Sequence, residues 1–244
     1  MSDEISPENR NYEVFIRGET IDLVIPSKQA IDLDNWHSWF NDPQVTEYSD
    51  YGLYPNTIEA QHEYLEKNMK ENNRRLILLI RPIGMDHVVG VASLSNIHPI
   101  HRSAETAIVV ADRRDTQGVL FWGLEAKALL TEHSFETLGL ERVGGAQAMP
   151  LADWQRIQTL FGYRPEGIKR NAHRRGYHVY DSVLSSCTLD DYLKTKAARN
   201  GKYWPGRTKL LELIRQLPKR SIAQLVDEAI NDAVTSYLKD VTLD

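Results

Sequence analysis

Ala104-Glu105-Thr106-Ala107-Ile108-Val109-Val110-Ala111, then Asp112-Arg113-Arg114-Asp115-Thr116-Gln117-Gly118, then Val119-Leu120-Phe121-Trp122-Gly123-Leu124, is the stretch that decides the fold. Its first part is apolar and β-branched, which predicts a buried strand. Its middle is a polar, basic turn. From Leu120 onward Leu124, Ala128, Phe135 and Leu138 recur at helical spacing, so the chain leaves the turn directly into an amphipathic helix. A turn rich in arginine and glycine at a helix N-terminus suits an anion, because free backbone N–H groups and the positive end of the helix dipole converge there. A phosphate-bearing cofactor is the first expectation.

Outward from that stretch, patterning predicts strands near 19–25, 75–81, 88–95, 104–111, 142–147, 167–171 and 177–186. Helices fit 33–40, 57–72, 119–138 and 151–161, with three more after Thr188. Strands interspersed with helices predict an α/β layer architecture.

The chain has 244 residues, 41% hydrophobic and 26% charged, which suits one globular protein with a full core. The net charge of −5 argues against a generalised nucleic-acid binder. The single cysteine, Cys187, permits no intrachain disulfide, so a reducing, cytoplasmic setting is expected. It sits in an apolar strand and reads as a buried structural thiol. Residues 1–11 are polar and acidic, unlike a signal peptide, and no window resembles a membrane span.

The order of several short segments resembles the GNAT superfamily of N-acetyltransferases, in particular its ribosomal-protein and amino-sugar acetyltransferase branch. The segments are Gly18-Glu19-Thr20-Ile21-Asp22-Leu23, Trp36-His37-Ser38-Trp39-Phe40-Asn41-Asp42-Pro43-Gln44-Val45-Thr46 and Gly90-Val91-Ala92-Ser93-Leu94. They continue with Ala104-Glu105, Glu125-Ala126, Phe135-Glu136-Thr137-Leu138-Gly139-Leu140-Glu141-Arg142-Val143, and Gly162-Tyr163 through Glu166-Gly167. The resemblance implies a mixed central sheet flanked by helices over residues 1–188; it does not cover residues 189–244, which read as a helical extension. It implies acetyl-CoA as co-substrate, and direct attack by a primary amine in a ternary complex. Its acceptor is expected to be an amino sugar or other small molecule; the alternatives are a protein N-terminus or lysine, or a catalytically weak binding module.

The same resemblance places the acetyl carbonyl at Val109, Val110 and Ala111, where a splayed or bulged strand turns a backbone N–H toward it. The pyrophosphate would lie at Arg113, Arg114, Gln117, Gly118, Val119 and Gly123. Three departures from the family pattern stand out: this loop has one glycine, Ala148 stands where an asparagine usually follows the fifth strand, and Gln158 occupies the position of a tyrosine general acid.

Glu105 is the first candidate for a general base, since it lies on the strand leading toward the acetyl site; a strand-end carboxylate paired with an arginine is the other reading. His101 and His98, in Asn96-Ile97-His98-Pro99-Ile100-His101, are the alternative base and acceptor contact. They do not suffice for a metal site, and none is expected. Tyr48, Tyr51 and Tyr54, with Asp50 among them, follow the first helix in a loop expected to line the acceptor pocket. Tyrosine faces suit a sugar ring, and the carboxylate suits hydroxyls or an amine. His173, Arg174 and Arg175 are expected in a turn between the last two strands, able to meet a phosphate or to stand as an exposed turn.

After Asp190 the chain is helical and basic up to Arg220. Ser221 then caps an amphipathic helix carrying Leu225, Val226, Ala229, Ile230, Val234 and Tyr237 on one face. Two readings stand open: a helical layer packed on its own core or on a twin subunit as a homodimer, and a nucleic-acid contact through the basic helices.

Overall fold

The computed structural model describes residues 11–70, 74–112 and 118–239. The chain divides into two compact units, one ending at Val143 and the other beginning at Gly144.

The first unit is built on an antiparallel meander: β1 (Val14–Arg17), β2 (Ile21–Val24), β3 (Leu76–Pro82), β4 (Gly90–His98) and β5 (Ser103–Val110), each paired with the next. Four helices, α1 (Lys28–Asp32), α2 (Trp36–Trp39), α3 (Pro43–Thr46) and α4 (Ile58–Lys70), fill the connection between β2 and β3, and α5 (Val119–Glu136) follows β5. The unbroken apolar run Leu76–Ile80 makes β3 a fully buried strand at its centre: Leu78, Leu79 and Ile80 have almost no exposed surface. Helix α5 lies against β2 to β5. A separate apolar cluster joins Ala30, Ile31, Trp36 and Leu65 of the other helices to Leu79 and Val91 of the sheet.

Two expectations are corrected here. The helix predicted over 33–40 is instead only the short α2, set apart from the earlier α1, because Asp34 turns inward to accept from the Tyr12 hydroxyl and from Val88 N at 3.0 Å. Asn35 then takes a left-handed conformation, φ 55°, which its short amide side chain tolerates. The helix predicted as amphipathic is α5, and all of residues 121–128 are buried, while the predicted stripe members Leu120 and Leu138 are exposed. A helix enclosed on every side needs no polar face, so the apolar spacing marked a central helix.

The second unit starts within β6 (Arg142–Ala148) and holds α6 (Ala152–Gln158), a 3-10 turn over Thr159–Phe161, and a long hairpin of β7 (Arg164–Arg175) and β8 (His178–Thr188). Strand β8 lies between β6 and β7. Strand β7 runs past the predicted 167–171, so His173, Arg174 and Arg175 belong to the strand, and Gly176, φ 59°, makes the turn. Cys187 is buried, with its thiol directed at the Thr188 carbonyl.

Three helices follow Thr188: α7 (Leu189–Ala197), α8 (Arg207–Gln216) and α9 (Ile222–Tyr237). A capping box between Thr188 and Asp191 starts α7, and the Ser221 hydroxyl accepts from Gln224 N to start α9. Behind α7, the Arg199 guanidinium donates to the Leu160 and Tyr203 carbonyls and lies over the Phe161 ring. Helix α9 contacts β7 and α6, yet among its residues only Ala223 is buried.

Candidate active site

A cavity of about 450 Å³ opens in the first unit, bounded by α2, the loop over 50–56, α4 and strands β3 to β5. Its sheet side follows from pleating. Val91, Ser93 and Ser95 alternate along one face of β4, and Val109 and Ala107 of β5 stand opposite Val91 and Ser93. The next pair of that ladder is Ser95 with Glu105. Glu105 therefore shares the face that lines the cavity and stands exposed beyond its end, ~13 Å along the strand from Val109 at about 3.3 Å per residue.

The helical side carries aromatic rings. Trp36 and Gln61 are buried in the wall, and Phe40 stacks on Tyr51 with ring centroids 4.6 Å apart. Burial pushes the Tyr64 phenol up to about 12, and the neighbouring Tyr51 adds to the shift, so this hydroxyl stays protonated and remains a donor. Arg75, immediately before β3, donates from Nη1 to Asn68 Oδ1 at 3.1 Å and stands beside the same phenol.

The loop is fixed at its base by a reciprocal asparagine pair. Asn56 N donates to Asn41 Oδ1 and Asn41 Nδ2 donates to the Asn56 carbonyl, both at 2.7 Å. Asn56 Nδ2 also donates to the His37 carbonyl at 3.1 Å and to Gln61 Oε1 at 2.8 Å. Gln61 Nε2 and Trp36 Nε1 are buried without a hydrogen-bond partner among the described residues.

Of the residues expected to meet an acceptor, the structure brings Asp50, Tyr51 and Tyr54 to the cavity. Tyr48 is half-buried and is not among the lining residues. His98 and His101 are not brought there either. They stack on each other at the tip of the β4–β5 hairpin, centroids 4.3 Å apart, with His101 N donating to His98 Nδ1 at 3.1 Å. The hairpin tip lies ~20 Å along the strand from Val109. Trp36, Phe40, Gln61, Tyr64 and Arg75 are lining residues that sequence reasoning did not single out. The one signal for them was spacing: Trp36 with Phe40 at i, i+4 and Gln61 with Tyr64 at i, i+3 on their helices.

At the far end of β5, Ala111 N and Asp112 N both donate to the Val89 carbonyl, at 2.9 and 3.0 Å, which is a bulge. Gly90 allows β4 to approach it closely, since a Cβ there would stand 2.3 Å from the Val109 carbonyl oxygen. Arg113, Arg114 and Gln117 lie outside the described residues. Gly118 and Val119 open α5, and Gly123 is buried in its second turn. Its first turn holds no acidic residue, so the helix dipole there suits a phosphate anion. The bulged strand end followed by a helix N-terminus thus suits a CoA thioester with its pyrophosphate. In the second unit, Gln158 is buried, and its Nε2 donates to Gln147 Oε1 at 2.9 Å.

A family model described as acetyltransferase (GNAT) domain matches residues 23–149. The chain belongs to the GNAT family. As a member, it is an acetyl-CoA-dependent N-acetyltransferase with acetyl-CoA as its co-substrate. No curated protein sequence matches this GNAT chain. Among solved structures it is similar to a provisionally assigned acetyltransferase, at 25% identity over 76% of this chain and 91% of the other, with a TM-score of 0.58. It is also similar to spermidine N-acetyltransferase from Vibrio cholerae in complex with CoA and spermine, at 18% identity over 71% and 98% of the chains and a TM-score of 0.61. A third is the microcin C7 self-immunity acetyltransferase MccE in complex with acetyl-CoA and AMP, at 17% identity over 70% and 94% of the chains and a TM-score of 0.58. With these last two the likeness is one of fold. Among the described residues no helix is long and apolar enough to cross a membrane, and no cluster of side chains suits a metal ion.

Proposed function

We propose that this GNAT chain acetylates the primary amine of an amino sugar or another small molecule, by direct attack in a ternary complex. One observation carries the reading: an aromatic-walled cavity shares its floor with the β5 face that runs from Val109 to Glu105. Bound acetyl-CoA supplies the acetyl group at the bulged end of β5. There a backbone N–H of Val109 or Val110 faces the carbonyl; the Ala111 N–H is already engaged by Val89. Gly118 and Val119, with Arg113, Arg114 and Gln117 before them, hold the pyrophosphate, while the buried Gly123 lies too deep in the helix to take part. Tyr51 and Tyr54 present flat faces to the acceptor and Asp50 orients its amine or hydroxyls.

Glu105 takes the amine proton through water, since its place on the strand is too distant for direct contact at Val109. A sugar amine is only weakly basic, so a relayed base suffices. The catalytic part is proposed to span residues 1–188, with the helices of 189–244 as an extension. The cytoplasm is the proposed setting.

Acetyl-CoA should raise the unfolding temperature of the purified protein, and thiol should be released when an amino sugar is added. Glu105→Gln should lower kcat about 10²-fold, with acetyl-CoA affinity unchanged. A variant that keeps the parental kcat makes Glu105 structural. Absence of stabilisation by acetyl-CoA would favour a binding module over an enzyme.

A further inference from the structure

Given the acetyltransferase reading, the donors around the cavity define the part of the acceptor that does not react. We infer that the acceptor carries, besides its amine, an anionic oxygen group, a carboxylate or a phosphate, received by Arg75.

Arg75 is the one cation and Asp50 the one carboxylate among the described lining residues, and Asp50 already takes part in an interaction within the chain. A guanidinium offers five N–H donors in a planar fork that matches carboxylate and phosphate oxygens. Asn68 takes one of them at 3.1 Å and holds the side chain in place, and among the described residues Arg75 is in no ion pair. The Tyr64 phenol stands beside it, hydrogen-bonded to Arg75 and to Tyr51.

A polyamine brings several cations and almost no acceptors. It would place charge near Arg75 with a single carboxylate to offset it. The cavity therefore selects an oxygen-rich, anionic amine and rejects polyamines.

The test is calorimetric titration of the protein saturated with CoA, using four probes: glucosamine, glucosamine 6-phosphate, muramic acid for the carboxylate, and spermidine. At least one anionic probe should bind ten-fold or more tightly than glucosamine, and which one does so separates phosphate from carboxylate. Arg75→Ala should bring that ratio to about one, and Arg75→Lys should restore part of it. Arg75 is exposed, so both variants should keep the parental unfolding temperature. Equal affinities for charged and neutral sugars, a ratio untouched in Arg75→Ala, or preference for spermidine would each overturn the inference. Thiol release with spermidine as the best acceptor would sink it while leaving the acetyltransferase standing. Tight binding of an anionic amine without thiol release from acetyl-CoA would do the reverse.

Discussion

Glu125, one carboxylate on α5, holds the turn between β1 and β2. It accepts from the backbone N–H groups of Glu19 and Thr20 and from the Thr20 hydroxyl. Gly18 makes the room: a Cβ there would stand 2.5 Å from Glu125 Oε1. Glu125→Ala leaves these part-buried donors without their carboxylate and should reduce unfolding free energy by about 1–3 kcal/mol, read by urea denaturation. Burial raises the Glu125 carboxyl above its ordinary 4.5, outweighing the hydrogen bonds that lower it. Below that pH the group is neutral in the folded and unfolded chain alike. As the pH rises through the elevated value, the unfolded chain ionises first, so the folded state loses stability. The stability difference between the parent and Glu125→Gln should therefore shrink from pH 4.5 to 7.5. A constant difference would refute the burial of this charge.

At the scale of elements, the β4–β5 hairpin does most of the positioning, and Gly90 sets its closeness. Gly90→Ala would force β4 away from the Val109 carbonyl, at a cost of about 1–3 kcal/mol of overpacking. Because Val109 and Val110 carry the proposed acetyl contact, acetyl-CoA affinity should fall as well. Full affinity in calorimetry would detach this strand end from the site. Strands β3 to β5 were legible because each is a long apolar run, and α9 because its cap and stripe are local. Strand β1 was not: it has four residues, and its alternation is too short to be distinctive. The break between α1 and α2 rests on Asp34 reaching Tyr12 and Val88, which no local pattern reveals. The cavity was legible only in its loop, since Trp36, Gln61, Tyr64 and Arg75 come from separate segments that folding brings together. The hairpin histidines misled for the opposite reason, being chemically suggestive but placed at a tip.

At the scale of the molecule, the exposed face of α9 needs an explanation. Leu225, Ile230, Val234 and Tyr237 are 39%, 38%, 51% and 85% exposed, on a stripe that water disfavours. We propose that a second copy of the chain covers it. The parent should sediment as a dimer, and Leu225→Glu with Ile230→Glu should produce a monomer, weakening association by at least 10²-fold. A parent that is already monomeric ends the proposal. The paired amides of Asn41 and Asn56 have a different kind of consequence. They fasten the two ends of the segment that rims the cavity, so its exposed tip is set apart from the folding of the rest. Residues 52–55 can be rewritten, lengthened or shortened while the fold stays the same, leaving the choice of acceptor free to drift on an unchanging frame.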